Sequence, residues 1–501
     1  MRLSWAPLRR GRGRLAHRAT TKKPTVRVPW GSVVAGALIW LALALLNGSL
    51  RTLIPQIGER LLIAGGQLAV LIPMLYYGGL LRPTGLALRS PIPHSAREVG
   101  IILLVLIGLF GLLGVRLAST IANGSALSAE HGFLSFAPLL ASGMLVSLLI
   151  HPLVALLTFT VLLTGSALAQ GLPIQTLGGV GLSGWIAIYA VAPLRRRAQL
   201  FLTGALLSTV LALTAISIQA GSGVAWLDTL QSGLWGVVGG VFATALFWLG
   251  LTLLERPFRL ATPMVLMELA SLEHPLLREL RDKAPGTYFH SQMVGQLAEE
   301  AALAVGADSL LARVAGYYHD IGKLTKPDFY IENQTGINAH ERINPALSAR
   351  IIASHVRDGV ELARQHRLPT ALCDIIAQHH GTSLITYFYH QAVGSLPDPV
   401  LEQHFRYEGP KPQTREAAII MLADTVEAST RVLGEMTPHR LANFIHDMVE
   451  MRRHDGQLDE CGLTFCDLKR IEEAFLKVLV AARHKRIEYP NSEEVYAVRP
   501  S

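Results

Sequence analysis

Acidic residues are nearly missing from the first half of this chain. It is 501 residues long with 37 Asp and Glu, yet only Glu59, Glu98, Glu130 and Asp228 precede Glu255. A soluble domain surrounds its core with charge, so residues 31–254, almost continuously apolar, do not form one. Those apolar stretches also lack ionisable groups along their length. Arg116 and Glu98 lie near ends and His151 sits at a turn, an arrangement that argues against an ion or proton path. Cysteine is scarce. Cys373, Cys461 and Cys466 are too few and wrongly spaced for a zinc cluster or a disulfide framework, which fits a reducing cytosol. Strand-like alternation is hard to find anywhere, which leaves helices.

What is present falls into two halves. About 20 apolar residues are needed to cross the hydrocarbon of a bilayer. Segments 31–50, 61–81, 99–120, 134–150, 152–170, 176–193, 199–220 and 232–254 meet that length, some of them marginally, and predict a bundle of about eight spans. The break between the fourth and fifth is His151-Pro152, where proline disfavours helix at the preceding residue and favours a tight hairpin. The first 30 residues carry Arg2, Arg9, Arg10, Arg12, Arg14, Arg18, Lys22, Lys23 and Arg27 with no acid among them. Beside a first span such an arm reads as an orientation signal for a cytoplasmic N-terminus rather than as a nucleic-acid contact. Arg195, Arg196 and Arg197 between the sixth and seventh spans agree, and an even number of spans returns the chain to the same side at Glu255. The expected location is a bacterial inner membrane, multi-pass, with the C-terminal half cytoplasmic.

In that second half the apolar spacing is helical: Met293, Leu297, Ala301 and Val305 share one face, as do Leu311, Val314, Ala315 and Tyr318. The expected organisation is a basic arm (1–30), a transmembrane bundle (31–254), linker helices (255–287), an all-helical domain (288–490) and a tail (491–501), so the fold class is all-α throughout. Longer loops are expected at 325–343 and 391–414. Across this scaffold run His290, His319 with Asp320, His355, His379 with His380, and Asp424. Imidazole nitrogens and carboxylate oxygens hold first-row transition metals, and these are enough donors for two ions. They are expected at helix ends or inward-facing turns. Asp320 is suited to bridging, because its two oxygens can bind one ion each at about 4 Å separation. Gly322 and Gly381, beside the two doublets, allow close backbone approach.

Tyr317-Tyr318-His319-Asp320-Ile321-Gly322-Lys323 resembles the signature of the HD phosphohydrolase superfamily. Further segments narrow the likeness: His274-Pro275-Leu276-Leu277, Ala284-Pro285-Gly286-Thr287-Tyr288, Phe329-Tyr330-Ile331-Glu332-Asn333-Gln334, His355-Val356-Arg357-Asp358-Gly359 and His379-His380-Gly381-Thr382. Together they resemble the seven-transmembrane HD family of cyclic di-AMP phosphodiesterases, the PgpH type. The resemblance implies two divalent transition metal ions, manganese or iron, held by His290, His319, Asp320, His355, His379, His380 and Asp424, with a water activated by both ions for attack on phosphorus. It implies catalytic roles for Asp320 as the bridge and for Lys323, one turn on, as the group that neutralises a phosphate oxygen or assists the leaving oxygen. The implied reaction opens a phosphodiester of cyclic di-AMP to give linear pApA in second-messenger signalling. Asn333, Asn338, Arg350 and Tyr389 are candidate substrate contacts, against the commoner readings of turn amides, a solvated arginine and packed aromatics.

The expected partners are thus a cyclic dinucleotide, the lipid bilayer and a second copy of the chain as a homodimer, with no nucleic-acid polymer. Two alternatives stay open: hydrolysis of another nucleotide (cyclic di-GMP or a nucleoside phosphate), and a receptor that binds nucleotide without turnover. Gly381-Thr382-Ser383 stands where cyclic di-GMP enzymes carry Gly-Tyr-Pro, which disfavours the first. One departure is evident. Members of the family carry a large extracytoplasmic domain between the first two spans, where this chain has only residues 51–60.

Overall fold

The computed structural model describes residues 94–124, 132–170, 172–334, 336, 338–394, 399–431 and 436–482. The basic arm, the expected spans 31–50 and 61–81, and the tail lie outside these residues. The membrane half comprises α1 (His94–Gly124), α2 (Ala137–Leu149), α3 (Pro152–Gln170), α4 (Ile174–Val191), α5 (Gln199–Gly221) and α6 (Trp226–Phe258). By length and apolarity, α4, α5 and α6 each suffice to cross a bilayer, whereas α1 to α3 offer the shorter apolar stretches Val99–Val115, Ala137–Leu149 and Pro152–Ala167. The count of eight spans is therefore not reached among the described residues.

The expected span 134–150 is broken. A short helix, Gly132–Ser135, stops at Phe136, and α2 restarts with Pro138 in its first turn. At 13 residues, α2 is about 20 Å long, too short to cross the roughly 30 Å hydrocarbon core by itself. All of its residues are buried, enclosed by α1, α3, α4 and α6. Proline does make the hairpin expected after it: Ile150 N and His151 N both donate to Val146 O, and α3 begins at Pro152. Outward-facing positions on α5 and α6 are themselves apolar, among them Phe201, Leu213, Leu234 and Trp248, as a lipid solvent requires.

α6 ends at Arg259, whose φ of 47° turns the chain, and Thr262 caps α7 (Pro263–Leu269) by accepting from Val265 N. Thr262 Oγ1 also donates to buried Glu255 at 2.6 Å, and Arg197 from the loop after α4 pairs with Glu268 on α7 at 2.8 Å. The domain beyond continues with α8 (Pro275–Lys283), α9 (Pro285–Val305), α10 (Ser309–Tyr318), α11 (Pro345–Gln365), α12 (Thr370–Gln378), α13 (Thr386–Val393), α14 (Arg415–Arg431), α15 (Pro438–His454) and α16 (Phe465–Ala482). Proline opens α7, α8, α9, α11 and α15, where its missing N–H costs nothing. The expected loop 325–343 is tightened by 3₁₀ turns at Pro327–Phe329, Ile331–Asn333 and Ala339–Arg342. The only strand-like pairing among the described residues is the isolated bridge between Leu384 and Arg406.

α9 runs through the middle of this domain and packs on α8, α10, α14 and α16. Gly295 on α9 meets Gly316 on α10 so closely that a Cβ on Gly316 would lie 2.5 Å from Gly295 N. That crossing brings His290 and His319 together, their ring centroids 5.3 Å apart. Gly322 does the same for the turn after α10: a Cβ there would meet His355 O and lie 2.5 Å from Gly359 N, both on α11.

Candidate metal centre

Both doublets leave helix ends, as expected: His319 and Asp320 follow α10, and His379 and His380 follow α12. His290, His355 and Asp424 instead lie inside α9, α11 and α14, a correction to the expectation that all the donors sit at ends or turns. A helix interior serves because each of these residues is on the buried face. The seven donors form two groups, Asp320 with His355, His379 and His380, and His290 with His319 and Asp424; within each, ligand-capable atoms lie within 4.8 Å of one another.

Asp320 joins the groups. Its Oδ1 faces His355 Nε2 at 3.3 Å and His379 Nε2 at 3.7 Å. Its Oδ2 faces His319 Nε2 at 3.3 Å and His290 Nε2 at 3.6 Å. Asp424 lies across, with Oδ1 3.1 Å from His290 Nε2 and Oδ2 3.6 Å from His380 Nδ1.

The imidazoles are aimed by bonds behind them. Nδ1 of His319, His355 and His379 donates to the carbonyls of Gly316, Ile352 and Ile376 at 2.8, 2.6 and 2.7 Å, which turns each Nε2 toward Asp320 and, in neutral His355 and His379, leaves the lone pair there. The 3.2 Å separation of His355 Nε2 from His379 Nε2 is therefore no hydrogen bond, since neither nitrogen carries a proton. Burial lowers the pKa of His355, and burial together with His319 and His355 pushes His379 down to about 3. Two neutral imidazole lone pairs and a carboxylate oxygen thus converge on one point, an arrangement that a cation would satisfy. Asp320 Oδ1 and His319 Nε2 are both buried without a hydrogen-bond partner. At His319 burial opposes charge, but Asp320 and Asp424 overcome it and raise the pKa to about 10. The donor set fits divalent metal ions.

Lys323 sits beside the bridge, 2.7 Å from Asp320 Oδ2 and 2.8 Å from Glu332 Oε1. Burial opposes its charge, yet the two carboxylates hold its pKa well above the usual lysine value. The candidate substrate contacts are placed variously. Asn333 is engaged at both ends, accepting from Thr287 N (3.1 Å) and donating to Thr287 Oγ1 (2.9 Å). Asn338 accepts from His340 N and caps a 3₁₀ turn. Arg350 is exposed on α11, and Tyr389 is buried with Ala349, Phe388 and Phe405.

Three residues at the centre escaped the sequence reading. Glu427 on α14 receives a hydrogen bond from His290 Nδ1 and another from Arg431 Nε at 2.7 Å. Its position three residues after Asp424 was the available signal, since that spacing shares a helix face. Tyr407 stacks on His380 with ring centroids 4.3 Å apart. Arg452 on α15 donates from Nε to Thr425 Oγ1 at 3.0 Å, next to Asp424. Neither of these last two is marked by spacing or residue type.

Fold and site define an all-helical domain with a candidate metal centre, preceded by apolar helices, three of them long enough to cross a membrane. Residues 85–262 match the family model described as 7TM receptor with intracellular HD hydrolase, and residues 287–429 match the HD domain. The two matches fall on the membrane helices and on the domain that carries the candidate centre. The chain is 39% identical over 366 residues to the cyclic-di-AMP phosphodiesterase PgpH of Bacillus subtilis, covering 71% of this chain and 51% of that protein. It is 40% identical over 317 residues to PgpH of Listeria monocytogenes, covering 62% of this chain and 44% of that one. The chain thus spans about half the length of these curated relatives. The crystal structure of the L. monocytogenes PgpH HD domain in complex with cyclic-di-AMP is 46% identical, with a TM-score of 0.41, over 43% of this chain and 100% of that one.

Proposed function

We propose that this protein is a membrane-anchored, metal-dependent phosphodiesterase that hydrolyses cyclic di-AMP to pApA. In this reading it sits in the bacterial inner membrane with its N-terminus and HD domain in the cytoplasm, and its centre holds two manganese or iron ions. The observation that carries the reading is the division of labour at Asp320, whose two oxygens face two separate donor groups. Relatives named as cyclic-di-AMP phosphodiesterases support the choice of substrate. His290, His319, Asp320 and Asp424 would hold one ion, and Asp320, His355, His379 and His380 the other. Bound there, two divalent ions supply an activated water and charge neutralisation at the phosphoryl group.

The chain's own residues hold and shield. Carbonyls behind His319, His355 and His379 fix their tautomers, so no ring has to reorient. Lys323 has three donors, of which Asp320 and Glu332 take two, leaving one for a phosphate oxygen or for the departing ribose oxygen. Tyr407 covers the outer face of His380 and excludes water from that side.

The test is hydrolysis by the purified full chain, supplied with manganese, in competition between cyclic di-AMP and cyclic di-GMP. The wild type prefers cyclic di-AMP and releases pApA, and Asp320→Ala abolishes turnover. Undiminished activity in the variant sinks the metal assignment, whereas a preference for cyclic di-GMP removes the substrate and leaves the chemistry. A reporter fused after Ser501 that is active only outside the cytoplasm would overturn the orientation.

A further inference from the structure

The centre is flanked by two cations that differ in their commitments. Lys323 on the Asp320 side is already paired with two carboxylates. Arg452 approaches the Asp424 side from α15, and among the described residues its one side-chain hydrogen bond is from Nε to Thr425 Oγ1 at 3.0 Å. Thr425 is itself fixed, its hydroxyl donating to Met421 O at 2.7 Å. Two carboxylates act on Arg452, Asp424 of the centre and Asp455 one turn further along the chain, and other groups occupy Asp455. Arg406 grips Asp455 in bidentate fashion (2.9 and 3.1 Å), and Gln457 Nε2 adds a third bond at 2.9 Å. The neighbouring Arg453 turns away to Glu450 at 2.8 Å. Arg452 is thus a half-buried guanidinium fixed by one edge, its terminal nitrogens in no ion pair among the described residues, beside the candidate ligand Asp424. Burial lowers its pKa, and the charges of Asp424 and Asp455 offset this only in part.

We propose that Arg452 is a substrate-binding residue whose free guanidinium edge takes a phosphate oxygen of the nucleotide at the metal centre. The inference rests on the phosphodiesterase reading and adds to it the cation that receives the anion. Three features fit. An Arg edge binds phosphate oxygens in a fixed fork geometry. The bond to Thr425 holds the fork in place before substrate arrives. Arg406 and Gln457, by closing off Asp455, keep the site from satisfying itself internally. Cations bound at Asp424 would take up that carboxylate and leave Arg452 with an incoming anion as its partner.

The test uses the full chain, manganese-loaded, as wild type, Arg452→Ala and Arg452→Lys. Three quantities are read: metal content, calorimetric affinity for inorganic phosphate, and KM and kcat for cyclic di-AMP. Loss of a charged hydrogen bond corresponds to roughly 10- to 100-fold in affinity. Arg452→Ala should therefore weaken phosphate binding and raise KM by a factor in that range, with metal content at the wild-type level. Arg452→Lys, which keeps the charge and loses the fork, should fall between the two. Unchanged phosphate affinity and KM with metal retained overturns the proposal. So does loss of metal from both variants, which would make Arg452 a support for α14. The phosphate measurement needs no turnover. If the wild type leaves cyclic di-AMP intact, the substrate reading fails while the role of Arg452 is still decided.

Discussion

Glu427→Gln tests the architecture of the centre most directly, because it changes one charge and almost no volume. Glu427 accepts from His290 Nδ1, and the side chains of the pair are only 5% and 6% exposed, so water screens the interaction little. The amide of the variant can still accept that proton, but it withdraws the negative charge that makes the imidazole a stronger donor to metal. A hydrogen bond to a charged group contributes about 1.5–3 kcal/mol and a neutral one about 0.5–1.5, so the loss is about 1.4 kcal/mol, or tenfold in affinity. That lies at the lower edge of what outer partners of metal ligands contribute. The effect is local: His290, His319 and Asp424 feel it, while His355 and His379 face the other oxygen of Asp320 and His380 groups with them. Titration of the full chain with manganese against a chromogenic chelator should show two equivalents for the wild type. In the variant one equivalent keeps its affinity and the other weakens by about tenfold. If the curves superimpose, Glu427 does not tune His290. If both equivalents vanish together, the two halves of the centre are not separable and the assignment of Asp320 as a divider is wrong.

Gly322→Ala places a methyl group against His355 O and 2.5 Å from Gly359 N, both backbone atoms that no rotamer can move. We expect a loss exceeding the usual cost of overpacking, about 1–3 kcal/mol, together with loss of the metal that His355 helps hold; thermal unfolding and metal analysis check both. Asp467, 2.9 Å from fully buried Arg415, has its pKa depressed below 3.8: burial works against this, but bonds from Thr464 and the charge of Arg415 overcome it. A depressed carboxylate stabilises fully above its unfolded pKa and loses that contribution as pH falls through the folded value. Asp467→Asn should accordingly lower stability by about 3 kcal/mol at neutral pH, and its gap in melting temperature from the wild type should narrow below about pH 4. A gap that widens on acidification would contradict the sign.

Proline made much of the fold readable. Pro152, Pro263, Pro275 and Pro285 each stand at the start of a helix, so the hairpin and the connectors were visible as punctuation in the chain. Apolarity was a poorer guide. It does not distinguish a helix bathed in lipid from one wrapped by other helices, and so segment 134–150 reads as a marginal span, with a re-entrant pair as the alternative, while α2 is enclosed on every side. Pro138, inside an unbroken apolar run, was the residue that restarts the helix. Its effect depends on Gly114 of α1, which packs against the proline ring, and nothing near Pro138 in the sequence announces that contact.

The centre divides along a similar line. Metal binding demands lone pairs from a few residue types, so seven donors stood out although they span residues 290 to 424. The groups that aim those donors are common residues, identified only by contact. Gly316 O turns His319, Glu427 turns His290, and Arg406 occupies the carboxylate that would otherwise quiet Arg452. None of the three stands in a sequence signature, yet each holds a donor of the centre or a group beside it in place. Chemistry of the donors therefore marks the candidate centre, while its fine tuning is expected to depend on these supporting contacts. Substitutions there, rather than at the donors themselves, are the ones expected to change the centre by degrees.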